Sequence, residues 1–282
     1  MISVLILTKN EERDLAGCLA SVRWSDDVHV LDSFSTDRTL EVAHEADATV
    51  TQHAFEDWAS QKNWALKNLP WKYPWVFCLD ADERVTPELA RGLAHAAAAP
   101  AGNVAFRVQR RDFFLGRWLR HVQATPFYVR LFRPEKMRYE RPINEVTIPD
   151  GPVGEVAGYL DHFPFSKGID YWVARHNLYS TMEARQIVAD RAAHRAPSIM
   201  KALTASRIEE RRIYQKELFY RMPFRPLAKF LLLYVAKGGF LDGRAGLTYA
   251  ILQSFYEYMI VLKTRELIAE QQRGGSQNDP AK

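Results

Sequence analysis

The chain has 282 residues, 38 Lys and Arg against 34 Asp and Glu, and a formal net charge of +4. At 47% hydrophobic and 26% charged it is an ordinary globular composition, which excludes a disordered or fibrous chain and allows one large domain or a domain with an appendage. Only Cys18 and Cys78 occur, which excludes a disulfide framework and a cysteine zinc site and suits a reducing cytosol.

Ile2–Leu7 is a near-continuous apolar run, as in a strand buried on both faces of a parallel sheet. No basic segment leads into a long apolar stretch, so no signal peptide is expected. The run empties into Thr8-Lys9-Asn10-Glu11, where Asn10 is placed to cap the following helix. Leu15, Cys18, Leu19 and Val22 follow at i, i+3, i+4, i+7, a helix with one buried face. Val28–Leu31 is a second strand ending at Asp32, and a polar turn leads to a helix over about 38–46. A short strand covers 48–52. Asp57 can cap a helix running to about Leu69 that carries Gln61, Lys62 and Asn63. Trp75–Leu79 is a buried strand that ends in Asp80-Ala81-Asp82-Glu83, and Thr86 with Pro87 starts the next helix. Strand–helix alternation with short links means βαβ units and a mostly parallel sheet flanked by helices, an α/β class.

The second half reads differently. Strands are expected over 104–109 and 127–132, with a mixed basic and aromatic stretch at 110–121 between them. Three prolines and Asn144-Glu145 mark 138–154 as loop-rich. From Gly168 the chain reads as helices to about Glu270, then a disordered Gly/Ser/Gln/Asn tail. The expected organisation is residues 1–165 as the nucleotide-binding part, 166–270 as a helical region and 271–282 as the tail. No apolar run approaches the roughly 18 residues needed to span a bilayer. No internal repeat is visible.

Ligands of open parallel sheets sit beyond the carboxyl ends of the strands, where Asp32, Asp80 and Asp82 fall. Two carboxylates at i and i+2 suit a hard divalent cation that also binds phosphate oxygens, although an isolated Asp-x-Asp is more often a solvated acidic turn. No Gly-x-Gly-x-x-Gly and no Gly-Lys-Ser/Thr loop follows the first strand, which takes the main support from the dinucleotide and P-loop readings. The acids and the polar face Gln61-Lys62-Asn63 remain, a set able to meet a base, a ribose and a metal-bound diphosphate.

Ile2–Glu11 (ISVLILTKNE), Val30–Thr39 (VLDSFSTDRT), Gln61-Lys62-Asn63 and Leu79–Glu83 (LDADE), in that order, resemble glycosyltransferase family 2. Asp80–Val85, the stretch Leu115–His121 and Gly239-Phe240-Leu241-Asp242-Gly243 are similar to its lipopolysaccharide-core β-glucosyltransferase branch. The resemblance implies a GT-A-like domain, a nucleotide-sugar donor such as a UDP-hexose, inversion at the anomeric carbon and Mg²⁺ or Mn²⁺ as cofactor. It implies that Thr8, Asn10, Glu11 and Asp32 line the nucleotide pocket, with Lys62 and Asn63 beside the diphosphate. Asp80 is then shared between ribose and metal, and Asp82 ligates the metal. Glu145 matches the branch's glutamate and is the expected base, Asp112 a weaker one. The chain departs from the pattern at Asp32-Ser33-Phe34-Ser35, where many relatives have Asp-Asp-Gly-Ser, and at Asn144-Glu145, where the branch usually has His-Glu. His162 matches a histidine common in the branch without an assigned role.

Arg117, Trp118, Arg120 and His121 could grip an anionic acceptor, or pack as a strand-edge hairpin. Residues 207–229 hold seven basic against three acidic residues with interleaved aromatics. That pattern fits an anionic membrane interface and a glycolipid acceptor, at the cytoplasmic face of a membrane. The same helices could instead pack on the first domain or on another subunit. A nucleic-acid binder and a non-catalytic membrane scaffold are the alternatives. Neither uses the acids, and no nucleic acid is expected as partner. The oligomeric state is open.

Overall fold

A computed structural model describes residues 1–123, 125–140, 145–192, 220, 222 and 224–277. The chain divides into two compact units, residues 1–120 with 124–166, and residues 121–123 with 167–282.

In the first unit, β1 (Ser3–Thr8) leaves no side chain exposed. It pairs in parallel with β2 (Val28–Asp32) and β4 (Val76–Asp80), and β3 (Thr49–Gln52) extends the parallel set beyond β2. The strands β5 (Glu83–Val85), β6 (Ala105–Phe114), β7 (Arg117–Trp118), β8 (Phe127–Phe132) and β11 (Val153–His162) complete a mixed nine-stranded sheet in the order β3-β2-β1-β4-β8-β6-β11-β5, with β7 on β6. Its two faces come from the period-2 alternation of β1. Val4 and Ile6 join Leu15, Leu79, Leu89 and Leu93 on one side, and Leu5 and Leu7 join Ala65, Val76 and Phe132 on the other. Each fully buried Leu or Ile contributes roughly 1.5–3 kcal/mol of transfer free energy. The helices α1 (Leu15–Ser21), α2 (Thr39–Glu45), α3 (Trp58–Asn68) and α4 (Pro87–Ala98) follow the strands as the alternation requires. Asp57 caps α3 by accepting the Ser60 N–H at 2.8 Å, and Thr86 caps α4 through the Leu89 N–H at 3.2 Å.

Two sequence expectations are corrected. Asn10 does not cap a helix; it sits at φ 56° in the left-handed region, and α1 starts only at Leu15. The passage 138–154 is not mainly loop. It contains β9 (Met137–Glu140) and β10 (Val146–Pro149), which pair as an antiparallel hairpin, and the start of β11. Residues 141–144, with Asn144 among them, lie outside the described residues. Strand β6 runs on to Phe114 and turns through Leu115 and Gly116, both at positive φ, into β7, so 110–118 is a hairpin. Gly158 lies at a register break in β11 with φ +101°, and a Cβ there would stand 2.5 Å from the Leu89 nitrogen in the first turns of α4.

The second unit is helical, with α5 (Ile169–Ala192), α6 (Arg225–Leu231), a π-turn segment (Leu232–Ala236), a 3₁₀ turn (Gly239–Asp242) and α7 (Gly243–Gln277). The long α7 packs against α5 and α6. A buried Arg225–Glu257 ion pair ties α6 to α7. Asp242 accepts the His121 and Val122 N–H groups at 2.9 and 2.8 Å and pairs with His121 Nδ1 at 2.7 Å. Helix α7 continues past Glu270, through residues expected in the tail, while 278–282 lie outside the described residues. So do 207–219, Arg221 and Pro223, most of the basic segment singled out above. No helix among the described residues is long and apolar enough to cross a membrane.

Candidate active site

The parallel register sets Thr8 beside Asp32 and Leu7 beside Asp80, so three strand exits share one edge of the sheet. The loops after β1 and β2 are laced together there. Asn10 Oδ1 accepts the Thr36 N–H at 2.8 Å, the Asn10 N–H donates to Ser35 Oγ at 2.8 Å, and the Glu11 N–H donates to Thr39 Oγ1 at 2.7 Å. Asp32 is fully buried and accepts from Thr8 Oγ1 at 3.0 Å, the Ser35 N–H at 2.8 Å, Gln52 Nε2 at 3.1 Å and the Ser35 hydroxyl. As arranged, Asp32 orders the loop at the edge where the nucleotide pocket is expected. Thr8, Asn10 and Glu11 line the same edge, with Asn10 exposed.

The carboxylates of 80–83 face different ways. Asp80 is held by Arg130 Nη2 at 2.9 Å, and the same nitrogen donates to Glu83 Oε1 at 2.6 Å. β8 runs antiparallel beside β4, which brings Arg130 there. Burial works against the Asp80 charge, yet Arg130 and Lys62 outweigh it and hold the carboxyl well below the usual range. Glu83 is fully buried and accepts the Asp80 N–H at 3.0 Å; burial pushes its carboxyl up despite Arg130. Glu83 therefore shapes the turn from beneath, while the Asp80 and Asp82 side chains are both partly exposed, by 35% and 23%.

Asp82 meets a histidine. Strand β11 lies between β5 and β6, so His162 is in register with Glu83 on one side and Asp112 on the other. His162 Nδ1 bonds Asp112 Oδ1 at 2.6 Å, and its Nε2 lies 3.3 Å from Asp82 Oδ2. Burial alone would lower the imidazole pKa, but Asp82 and Asp112 push it up to about 9. Asp112 is buried and also faces Arg110 Nε at 3.1 Å. It orients His162. Among the described residues no three His, Cys, Asp or Glu form a metal cage. Asp82 and His162 nevertheless offer an oxygen and a nitrogen side by side, with a carboxylate behind the imidazole, the arrangement that orients metal-bound histidines. A metal held by two protein ligands fits Mg²⁺ or Mn²⁺, which keep positions for phosphate and water.

Lys62 and Glu145 come together. The Lys62 ammonium, buried on α3, bonds Glu145 Oε1 at 2.5 Å and lies 5.2 Å from the Tyr139 ring centre. Desolvation would discharge it, but Asp80 and Glu145 among others keep its pKa raised. Asn63, the next residue of α3, is held by the backbone of β9. Its amide clasps the Tyr139 backbone in both directions, at 2.8 and 2.9 Å, closing β9 onto α3.

In the basic–aromatic stretch, Arg111 forms a two-nitrogen bridge to Asp161 at 2.6 and 2.9 Å, and Arg110 faces Asp112. Arg117 and Arg120 are exposed, and Arg120 lies 5.5 Å over the Trp118 ring. The indole nitrogen of Trp118 is buried with no hydrogen-bond partner among the described residues. His121 belongs to the second unit with Asp242. Sequence reasoning left Arg130, Glu83 and His162 without firm roles. The legible signal was Arg130 inside the apolar strand Phe127–Phe132, since a buried cation requires a carboxylate partner.

Neighbouring strand exits of one α/β sheet thus carry a buried acid network and two partly exposed carboxylates, Asp80 and Asp82. The chain belongs to glycosyl transferase family 2, which matches residues 3–156, and it is a glycosyltransferase of the GT-A fold. It is 31% identical over 273 residues to the lipopolysaccharide core biosynthesis glycosyltransferase LpsC of Rhizobium meliloti strain 1021, covering 89% of each chain. An uncharacterized glycosyltransferase of Rickettsia typhi is 26% identical over 66% of this chain and 68% of its own. Among solved structures, TarS 1–349 of S. aureus is 14% identical with a TM-score of 0.41, covering 97% of this chain and 91% of that one. Glucosyl-3-phosphoglycerate synthase from Mycobacterium tuberculosis, crystallised with Mn²⁺, UDP and glucosyl-3-phosphoglycerate, is 22% identical with a TM-score of 0.35, covering 39% of this chain and 44% of that one.

Proposed function

We propose that this glycosyltransferase is metal-dependent and inverting, and moves a hexose from a nucleotide sugar, a UDP-hexose, to a hydroxyl of a membrane-associated glycolipid such as lipopolysaccharide core, at the cytoplasmic face of the membrane. The observation that carries the reading is the partly exposed Asp82 carboxylate 3.3 Å from His162 Nε2, with Asp112 behind the ring. Asp82 and His162 would hold Mg²⁺ or Mn²⁺, which when bound neutralises charge on the leaving nucleoside diphosphate. His162 must give up its proton to serve as a ligand, so metal uptake releases one.

The chain's own groups supply the rest. Thr8, Asn10 and Glu11 line the edge where the nucleoside lies, and Asp80, fixed by Arg130, orients the ribose. Lys62 is a fixed cation that draws the diphosphate and holds Glu145 in place. Glu145 takes the proton of the acceptor hydroxyl as it attacks the anomeric carbon from the face opposite the leaving group. Arg117, Arg120 and Trp118 border the acceptor side. The pairing of Arg110, Arg111 and Arg130 with acids favours this reading over a nucleic-acid binder, since those cations are already neutralised.

The test is a nucleotide-sugar panel with Mg²⁺ or Mn²⁺, reading donor hydrolysis and transfer to lipopolysaccharide-core acceptors. Turnover of a UDP-hexose that stops in EDTA supports the proposal. Undiminished turnover in EDTA, or use of no UDP-sugar, refutes it.

A further inference from the structure

Helix α7 turns two unlike faces outward and inward. Gly246, Ala250, Glu257, Ile260 and Thr264 are buried on one side of it. On the other side Leu247, Ile251, Phe255, Tyr258 and Leu262, spaced as successive helical turns, are all exposed, Ile251 by 51% and Phe255 by 45%. The fifteen residue steps from Leu247 to Leu262 make this stripe about 22 Å long. A second stripe runs along α6 and the π-turn segment packed on α7. There Phe224, Leu227, Leu231 and Val235 are exposed, Phe224 by 81%. A water-soluble surface seldom shows so many large apolar side chains along one structure unless they mark an interaction site.

The charges between Phe224 and Arg265 say what covers them. The two acids of that segment, Asp242 and Glu257, are both buried, at 2% and 5% exposure. The exposed charged residues of the segment, Lys237, Arg244 and Arg265, are all basic, and the first exposed acid, Glu266, lies one helical turn beyond Leu262. A second copy docked face to face by two-fold symmetry would bring like charges together over most of this surface. An anionic surface would instead be attracted to it.

We infer that the exposed face of α6, the π-turn segment and α7 docks onto an anionic lipid bilayer, its aliphatic and aromatic side chains entering the interface while Lys237, Arg244 and Arg265 meet lipid headgroups. No described helix is apolar enough to span, so the contact is interfacial. The inference goes beyond the transfer reaction and concerns only the second unit, so it stands or falls independently of the site built on Asp82.

The test is cosedimentation of the full-length protein with vesicles of neutral phosphatidylcholine, alone or mixed with anionic phosphatidylglycerol. The wild type should partition onto the anionic vesicles about tenfold or more over the neutral ones and come off as salt is raised to about 0.5 M. Ile251→Gln/Phe255→Gln/Leu262→Gln and, separately, Lys237→Gln/Arg244→Gln should each lose about tenfold. Both should keep the thermal transition and the protection given by UDP with Mn²⁺. Should the apolar variant melt early, the charge variant and the salt series carry the test. Failure of the wild type to bind anionic vesicles overturns the inference. So does binding that neither variant weakens, or a lipid-free dimer that the apolar variant dissociates. Vesicle binding without any use of UDP-sugars would leave docking standing and sink the transfer reading alone.

Discussion

Replacing Arg130 by Met removes the cation shared by Asp80 and Glu83 while nearly keeping side-chain volume. The Arg130 side chain is 7% exposed, and it leaves behind a Glu83 carboxylate with no exposure and an Asp80 side chain 35% exposed. Breaking a buried ion pair from one side costs roughly 3–5 kcal/mol. Three features place this case at the lower end. Arg110 Nη1 remains 3.8 Å from Glu83, burial already pushes the Glu83 carboxyl toward its protonated form, and Asp80 can hydrate. A loss of about 3 kcal/mol corresponds to about 6–12 °C in Tm for a unit of this size. The assay is calorimetry at neutral pH, with Arg130→Met/Glu83→Gln beside the single variant. The double variant no longer buries an orphan carboxylate and should recover about half of the loss, because the two sites are directly coupled. A single variant within about 0.5 kcal/mol of the wild type, or a double variant no better than the single, would refute the view that this network holds the turn.

Asn63→Ala removes both bonds to the Tyr139 backbone and should cost about 1–3 kcal/mol of stability, with KM for the donor changed less than about threefold; a tenfold rise in KM would return Asn63 to the diphosphate. Gly158→Ala forces an alanine to φ +101° with its Cβ against Leu89, and calorimetry should show at least about 2 kcal/mol lost. A neutral outcome would mean that α4 shifts freely on β11. Lys62→Met should lower kcat by about 100-fold or more through loss of a preorganised cation, with partial rescue by Lys62→Arg. An unchanged kcat would make the Lys62–Glu145 pair merely structural.

The first half of the fold was legible because its signals are local. The apolar runs of β1, β2 and β4, and Thr86-Pro87 before α4, each act within a few residues. Strands β9 to β11 were hidden by Pro149, Pro152, Gly154 and Gly158, residues that depress strand propensity and are tolerated where a hairpin ends or a strand bulges. The acidic turn was legible as a place but not as a division of labour. What separates Asp80 from Asp82 is Arg130, 50 residues away, and what completes Asp82 is His162, itself oriented by an Asp112 that only strand register brings near. Asn63 and Asp32 show the converse. Polar residues at the expected positions are spent on a backbone clasp and on a loop, and no linear pattern distinguishes those uses from ligand contacts.

The measurement closest to the central claim is calorimetric titration of Mn²⁺ into the full-length protein with saturating UDP, for the wild type, Asp82→Asn and His162→Gln. One Mn²⁺ per chain is expected in the wild type, with at least about 100-fold weaker binding in Asp82→Asn and a loss of about 10-fold or more in His162→Gln. Wild-type affinity for Mn²⁺ in Asp82→Asn would contradict the claim.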